Sequence, residues 1–308
     1  MKKSLFRSAF SLLTFAFIVI VIGKYVIVAQ QKEITGDWKA DARPEKQEDS
    51  GKIHISFERA TTNGRNQNGS NYSLDELQGL SREQTQNGRV NFRLVREAGT
   101  VDCEGTFTNG KGFGTFRFTP NQSYLTAMKS RGFDFEQSAR KNDGDVESRI
   151  LSAALINVTT ALADDLKSVG FDNLDVDDLF KAAIFKVDSK FMAEMKATGF
   201  PNLTMEDLVK ARIFKIDAEY VRQVHQMGFS DKGFEGLVKF RIFKVTPEFL
   251  GELKAAGLKD LDSEDIVKCR IFKIDAEFVR NVRSQDPNAS IEDMVKMKIG
   301  VHRTKTDL

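Results

Sequence analysis

The sequence is poor in the side chains that most catalytic and metal centres use. Its three histidines, His54, His225 and His302, lie far apart and belong to no HExxH, HxH or Cys/His cluster, so motif spacing gives metal catalysis no support. There is no GxSxG elbow and no Walker A phosphate loop. The two cysteines, Cys103 and Cys269, fall in segments of different character, which argues against a disulfide framework and makes each a buried thiol. An excess of charge of one sign is also missing. Lys and Arg number 46 against 44 Asp and Glu, for a formal charge of +2, so the chain is not built to coat nucleic acid and any basic function must be local. No cofactor is expected. What is present, 41% hydrophobic and 29% charged residues over 308 positions, is enough to bury a core through most of the chain.

The first 30 residues differ from the rest. MKKSLFR supplies a positive start, FSLLTFAFIVIVIG an apolar run, and KYVIVAQQ a return to polarity, which reads as an export signal with cleavage after Ala29. The alternative is an uncleaved anchor over residues 8–29 with Lys24 reaching the headgroups. Both place the remainder outside the cytoplasm, periplasmic, extracellular or anchored at the inner membrane.

Residues 31–120 carry strand periodicity. IHISF puts Ile53, Ile55 and Phe57 on one face, and VNFRLV does the same with Val90, Phe92 and Leu94. TVDCEGTFTNGKGFGTFRF, residues 100–118, is a hairpin about an Asn109-Gly110 turn. GKGFG at 110–114 lacks the following helix that a phosphate cradle needs and continues as a strand, so it belongs to the turn. TTNGRNQNGSN, residues 61–71, reads as a polar loop.

Residues 121–301 change period. Gly170, Gly199, Gly228 and Gly257 recur at intervals of 29, as do Phe185, Phe214, Phe243 and Phe272, and Lys186, Lys215, Lys244 and Lys273. An earlier degenerate unit begins near Tyr124 and a divergent one closes the series; residues 302–308 form a polar tail. Each unit holds two helix signatures. The first opens at an N-cap, Asp188, Asp217, Thr246 or Asp275, and ends at the glycine; its apolar face in one copy is Phe249, Leu250 and Leu253. The second opens on a cap and an acid three residues later: Asp175 and Asp178, Thr204 and Asp207, Asp262 and Asp265, Ser290 and Asp293. Gly233 blurs the corresponding start in the third unit. Helices of about ten residues are marginal alone, so the units must stack. The expected fold is α+β: a small antiparallel β module followed by an array of short α-helical hairpins.

The phrase VKARIFKI at 209–216 echoes through the units. It places Val209, Ile213 and Phe214 against adjoining helices, and Lys210, Arg212 and Lys215 near a helix C-terminus, where cations offset the dipole. Cys269 takes a packing slot shared with Ala182, Ala211, Phe240 and Met297. Stacking at constant period would align Lys186, Lys215, Lys244 and Lys273 as one row and Lys210, Lys239 and Lys268 as a second. These seven lysines are the candidate interaction surface, for another envelope protein or for a polyanion, with acidic residues of the next unit available to neutralise them. The recurrent phenylalanines hold packing positions, which argues against base stacking and nucleic acid.

Carboxylate pairs such as Asp177 and Asp178 or Glu264 and Asp265 recur at helix starts, and are caps rather than acid/base dyads. His225 occupies the slot of Lys167, Lys196 and Lys254, a surface position. These patterns predict a non-enzymatic interaction scaffold of the cell envelope, with a polyanion binder using the lysine rows or a ligand sensor using the β module as alternatives, and no catalytic, cofactor or metal residue to name.

GFPNLTMEDLVKARIFKIDAEYVRQV (199–224) and FRIFKVTPEFLGEL (240–253) resemble a helical module of exported bacterial proteins whose units read approximately GY-x-x-LS-x-DLIxLRIHGVTPEFI-x-EL. REAGTVDCEGTFTNGKGFGTFRF (96–118) is similar to the small β-rich segment that precedes such repeats in that family. The resemblance implies a β segment followed by helical repeats, outside the cytoplasm. Some relatives attach such repeats to membrane metallopeptidases of the beta-lactam-sensor type; with no zinc motif here, no peptidase activity follows. The family's His-Gly pair is Phe-Lys in four units and Gly-Val at 300–301.

Overall fold

A computed structural model describes residues 34–43, 51–61, 64–141, 145–170, 174–229 and 233–300. The segment read as export signal or anchor, His302 and the polar tail lie outside the described residues. Among the described residues no helix is long and apolar enough to cross a membrane. The chain divides into two compact units, the first running to Ala127 and including Phe135–Asn157, the second made of Met128–Asp134 and the chain from Val158 onward.

The first unit is a seven-stranded antiparallel sheet in the order β3-β2-β1-β7-β6-β5-β4. Its strands are β1 (Ile34–Asp41), β2 (Lys52–Thr61), β3 (Gly64–Ser73), β4 (Leu77–Gln78), β5 (Asn87–Arg96), β6 (Gly99–Thr108) and β7 (Lys111–Pro120). The alternation works as expected: Ile53, Ile55, Phe57, Val90, Phe92 and Leu94 are all buried. Asn109 and Gly110 both have positive φ and join Thr108 to its partner Lys111, a two-residue turn of the kind that matches strand twist.

The glycines around that hairpin make room for aromatics. Trp38 of β1 lies opposite Gly114, which lies opposite Gly105. A Cβ on Gly105 would fall 2.6 Å from the indole, and one on Gly114 would fall 2.0 Å from the Glu104 carbonyl oxygen. The indole rests on this bare strip, packs edge-on to Phe92 at 5.2 Å, and donates from Nε1 to Glu104 O at 3.1 Å. Hence GKGFG is a seat for Trp38 within a strand, as its sequence context required.

One expectation fails here. The polar stretch 61–71 is a loop only in composition, because β3 pairs with β2 along its length, from Lys52 opposite Ser73 to Thr61 opposite Gly64. Pairing supplies the strand where side-chain burial does not; only Tyr72 of β3 is buried. This edge strand holds three Asn, two Gly and two Ser and a single charge, Arg65.

Three helices follow the sheet: α1 (Gln122–Ser130), whose last turn from Met128 belongs to the second unit, α2 (Phe135–Lys141) and α3 (Val146–Leu155). The helix α3 touches β3 at one edge and also β6 and β7, so the sheet curls around it. Tyr72 donates its hydroxyl to Leu155 O at 3.0 Å, and Arg59 reaches both Asp145, the N-cap of α3, and Ser148 at 3.1 Å. The sheet unit thus takes in helical chain beyond the 31–120 span read from sequence.

The second unit is the repeat array. Its first helices are α4 (Thr160–Ser168), α6 (Ser189–Ala197), α8 (Ala218–Gln226), α10 (Pro247–Ala255) and α12 (Ala276–Gln285). Its second helices are α5 (Val176–Phe185), α7 (Met205–Ile213), α9 (Phe234–Ile242), α11 (Ser263–Ile271) and α13 (Ile291–Lys298). Successive second helices pack side by side, α5 on α7 through to α11 on α13, and first helices do so at α4–α6, α6–α8 and α10–α12. The predicted caps form. Asp188, Asp217, Thr246 and Asp275 accept N–H bonds from the first turn, and reciprocal capping boxes open α5, α7, α11 and α13, whereas Gly233 gives α9 no side-chain cap. Gly170, Gly199, Gly228 and Gly257 have positive φ at the ends of the first helices.

Candidate interaction surface

The first four second helices, α5, α7, α9 and α11, each end in a Schellman turn. The N–H of Val187, Ile216, Val245 and Ile274 bonds back to the carbonyl of Ala182, Ala211, Phe240 and Cys269 at 2.8–3.0 Å, and these four aliphatic residues are buried. The residue before each must therefore be left-handed. It is Lys186, Lys215, Lys244 and Lys273, with φ of 55°, 53°, 52° and 53°. Glycine is the residue that such a turn favours; the same slot holds Asn157 (φ 59°) in the degenerate unit, and in the last unit, where the helix stops one residue sooner, the left-handed residue is Gly300 (φ 76°), in the slot of Phe214.

The two rows of candidate lysines differ in environment. Lys210 meets Glu235 of the next unit at 2.6 Å, Lys239 meets Glu264 at 3.2 Å, and Lys268 meets Glu292; Lys181 extends the row to Glu206 at 2.5 Å. The carboxylates beside Lys181, Lys210 and Lys268 raise their pKa values. This row is a ladder of cross-unit ion pairs. By contrast, Lys186, Lys215, Lys244 and Lys273 are exposed and their side chains make no hydrogen bond or ion pair among the described residues.

The arginine of the phrase is structural. Arg212, Arg241 and Arg270 lie 3.6–3.7 Å from the ring centroids of Phe191, Tyr220 and Phe249 on the first helix of their own unit. Arg212 and Arg241 also donate to Lys186 O at 2.6 Å and Lys215 O at 2.7 Å, the helix ends of the preceding unit. On the other layer, Lys196 donates to Val169 O and Arg283 to Gly257 O in the same manner. His225, in the slot of Lys196, is half-buried.

The isoleucine expectation is overturned. Ile213 does not pack inside; with Ile184, Ile242 and Ile271 it is between 48% and 56% exposed. At 100° per residue, Ile213 falls about 20° from Glu206, while Arg212 falls about 20° from buried Met205. The sequence held this signal, but the apolar character of isoleucine masked it. Phe214 is half-buried. Met297 departs likewise from the packing slot of Ala182, Ala211, Phe240 and Cys269, since α13 is the last second helix described and this position is exposed there. Cys103 and Cys269 are buried and unpaired, and burial pushes both thiols up, Cys269 to about 11.

On the outer face of the sheet an open groove of about 500 Å³ is lined by Asp37, Asn91, Asp102, Glu104, Thr115 and Arg117. Asp102 is held by Arg93 at 2.6 Å. Among the described residues no group of His, Cys, Asp and Glu is arranged to hold a metal ion. No family model matches the chain, and a comparison with curated proteins found no relative.

Proposed function

We propose that this is an exported, non-enzymatic repeat protein whose helical array serves as a protein-interaction scaffold in the cell envelope. The observation that carries this reading is the separation of labour within the repeated phrase. One Lys in each of four units, and an Arg in three of them, join the stack, while one Ile and a second Lys per unit take no part in it and face solvent in four successive copies. Such repetition makes a continuous surface out of short helices. Photo-crosslinking from positions 213 and 242 in intact cells, followed by mass spectrometry, tests the scaffold. A single dominant envelope protein supports it, and no crosslinked species refutes it. Mass determination of the N-terminus in the same preparation tests export and cleavage after Ala29.

A second reading, a polyanion binder, is favoured by the four lysines left without partners. It requires binding that weakens steeply with salt and is lost when Lys215, Lys244 and Lys273 are neutralised.

A further inference from the structure

The left-handed turn at the end of each second helix is occupied four times by the residue that strains it, and the strain is relieved by glycine or asparagine elsewhere in the same chain. The lysine side chain is idle within the fold: Lys186, Lys215, Lys244 and Lys273 have no partner among the described residues, although the lysines five positions earlier are all paired. Two residues before each lies one of the exposed isoleucines. Neighbouring packed helices stand about 8–10 Å apart, so four units set out an aliphatic strip roughly 30 Å long. The strip is one residue wide. The neutralised Glu-Lys ladder flanks it on one side and the unpartnered lysines on the other.

We propose that this strip docks an acidic amphipathic segment of another polypeptide, which lays aliphatic side chains along Ile184, Ile213, Ile242 and Ile271 and sets carboxylates against Lys186, Lys215, Lys244 and Lys273. The inference rests on the scaffold reading and names its surface and partner chemistry. Charge complementarity selects the sign of the partner, and excludes residues 1–30 of this chain as occupant, since they carry Lys2, Lys3, Arg7 and Lys24 and no carboxylate. Width selects a polypeptide over a bilayer. Burying isoleucines among acyl chains would drag the flanking ion-pair ladder into the interface, whereas a single helix covers a one-residue strip and leaves the ladder wet. An α-helix returns to the same face every seven residues, about 10.5 Å, which matches the spacing of the units.

The test uses the full chain without residues 1–29 and a fluorescent four-heptad peptide with Leu along one helical face and Glu beside it. Binding is read by anisotropy, with peptides changed Leu→Ser or Glu→Lys, and with vesicles of phosphatidylglycerol or phosphatidylcholine, as comparisons. The Leu/Glu peptide is expected to bind, and to lose affinity about tenfold or more in I184S/I213S/I242S/I271S and in K186G/K215G/K244G/K273G. The glycine variant relaxes the turns, so its thermal melt does not fall and lost binding cannot be blamed on lost fold. No binding of the Leu/Glu peptide overturns the proposal. Equal binding of the Leu→Ser peptide overturns it in favour of the polyanion reading, and preferential binding of phosphatidylglycerol vesicles through the same residues overturns it in favour of a membrane surface. If envelope crosslinks from position 226, an exposed site on a first helix outside the strip, survive in both quadruple variants, the scaffold stands and this surface is wrong.

Discussion

Replacing the four left-handed lysines by glycine should stabilise the protein, an unusual result for removing a charged side chain at a helix end. A non-glycine residue in the left-handed region costs roughly 1–2 kcal/mol. Glycine returns part of that through the greater freedom of the unfolded chain, about 0.4–1 kcal/mol, and loss of the cation at the helix C-terminus returns about 0.3 more. The remainder is about 0.5 kcal/mol per site, or about 2 kcal/mol for K186G/K215G/K244G/K273G together if the sites add. For an unfolding unit of this size, that raises Tm by about 4–8 °C. The assay is thermal and urea unfolding of the glycine variant beside the corresponding alanine variant, which loses the same side chain and keeps the strained backbone. Glycine should exceed alanine by about 1 kcal/mol per site, and Lys215→Asn should fall between them, because Asn157 already holds this turn at φ 59°. Equal stability of the glycine and alanine variants would refute the reasoning, because the Schellman turn would then not be what holds Lys215 left-handed.

Gly114→Ala places a Cβ 2.0 Å from Glu104 O and should cost about 3 kcal/mol or more, seen as loss of the cooperative urea transition and a red shift of Trp38 emission. In the array, Asp262→Ala removes the capping box of α11 and should cost about 1 kcal/mol, while Gly233→Ser, at an N-cap with open space around it, should add a few tenths. Stability should also fall in acid. Burial works against ionisation of Asp145 and Glu76, but the Ser148 and Arg59 bonds and the Ser73 and Arg96 bonds hold both carboxyls below their ordinary values. Their contribution is fully present above pH of about 4 and is lost as pH falls through the folded values, and Asp145→Asn should flatten that part of a stability–pH profile.

Much of the architecture could be read from the sequence because its signals were local. Alternation in IHISF and VNFRLV, the Asn109-Gly110 turn and the interval of 29 each depend on a few neighbouring residues, and each produced the element expected. The strand β3 was illegible for the opposite reason. Its Asn, Gln and Gly residues have little strand preference, and only the facing ladder of β2, ten residues long, makes them extended. The burial of α3 within the curled sheet likewise depends on strands far away in sequence, Tyr72 and Arg59 being the residues that fasten it.

The candidate surface was half legible, and the phrase RIFK shows why. Counting by residue type assigns Ile to the core and Arg to solvent. The structure exposes the isoleucine and gives the arginine, still half-buried or exposed, a packing role, because Arg can stack its guanidinium on an aromatic ring while bonding the carbonyl of the unit before, and so gives a stack what isoleucine cannot. An isoleucine displaced from the core in one unit would be an accident of packing. In four consecutive units, beside a lysine that its own backbone would exchange for glycine, the displacement leaves an aliphatic strip with unpaired charge along it, and neither feature contributes to holding the array together. The stability of the stack therefore constrains Arg212, Lys210 and Ile216 and leaves Ile213 and Lys215 free. Any constraint on those two has to come from something that binds them.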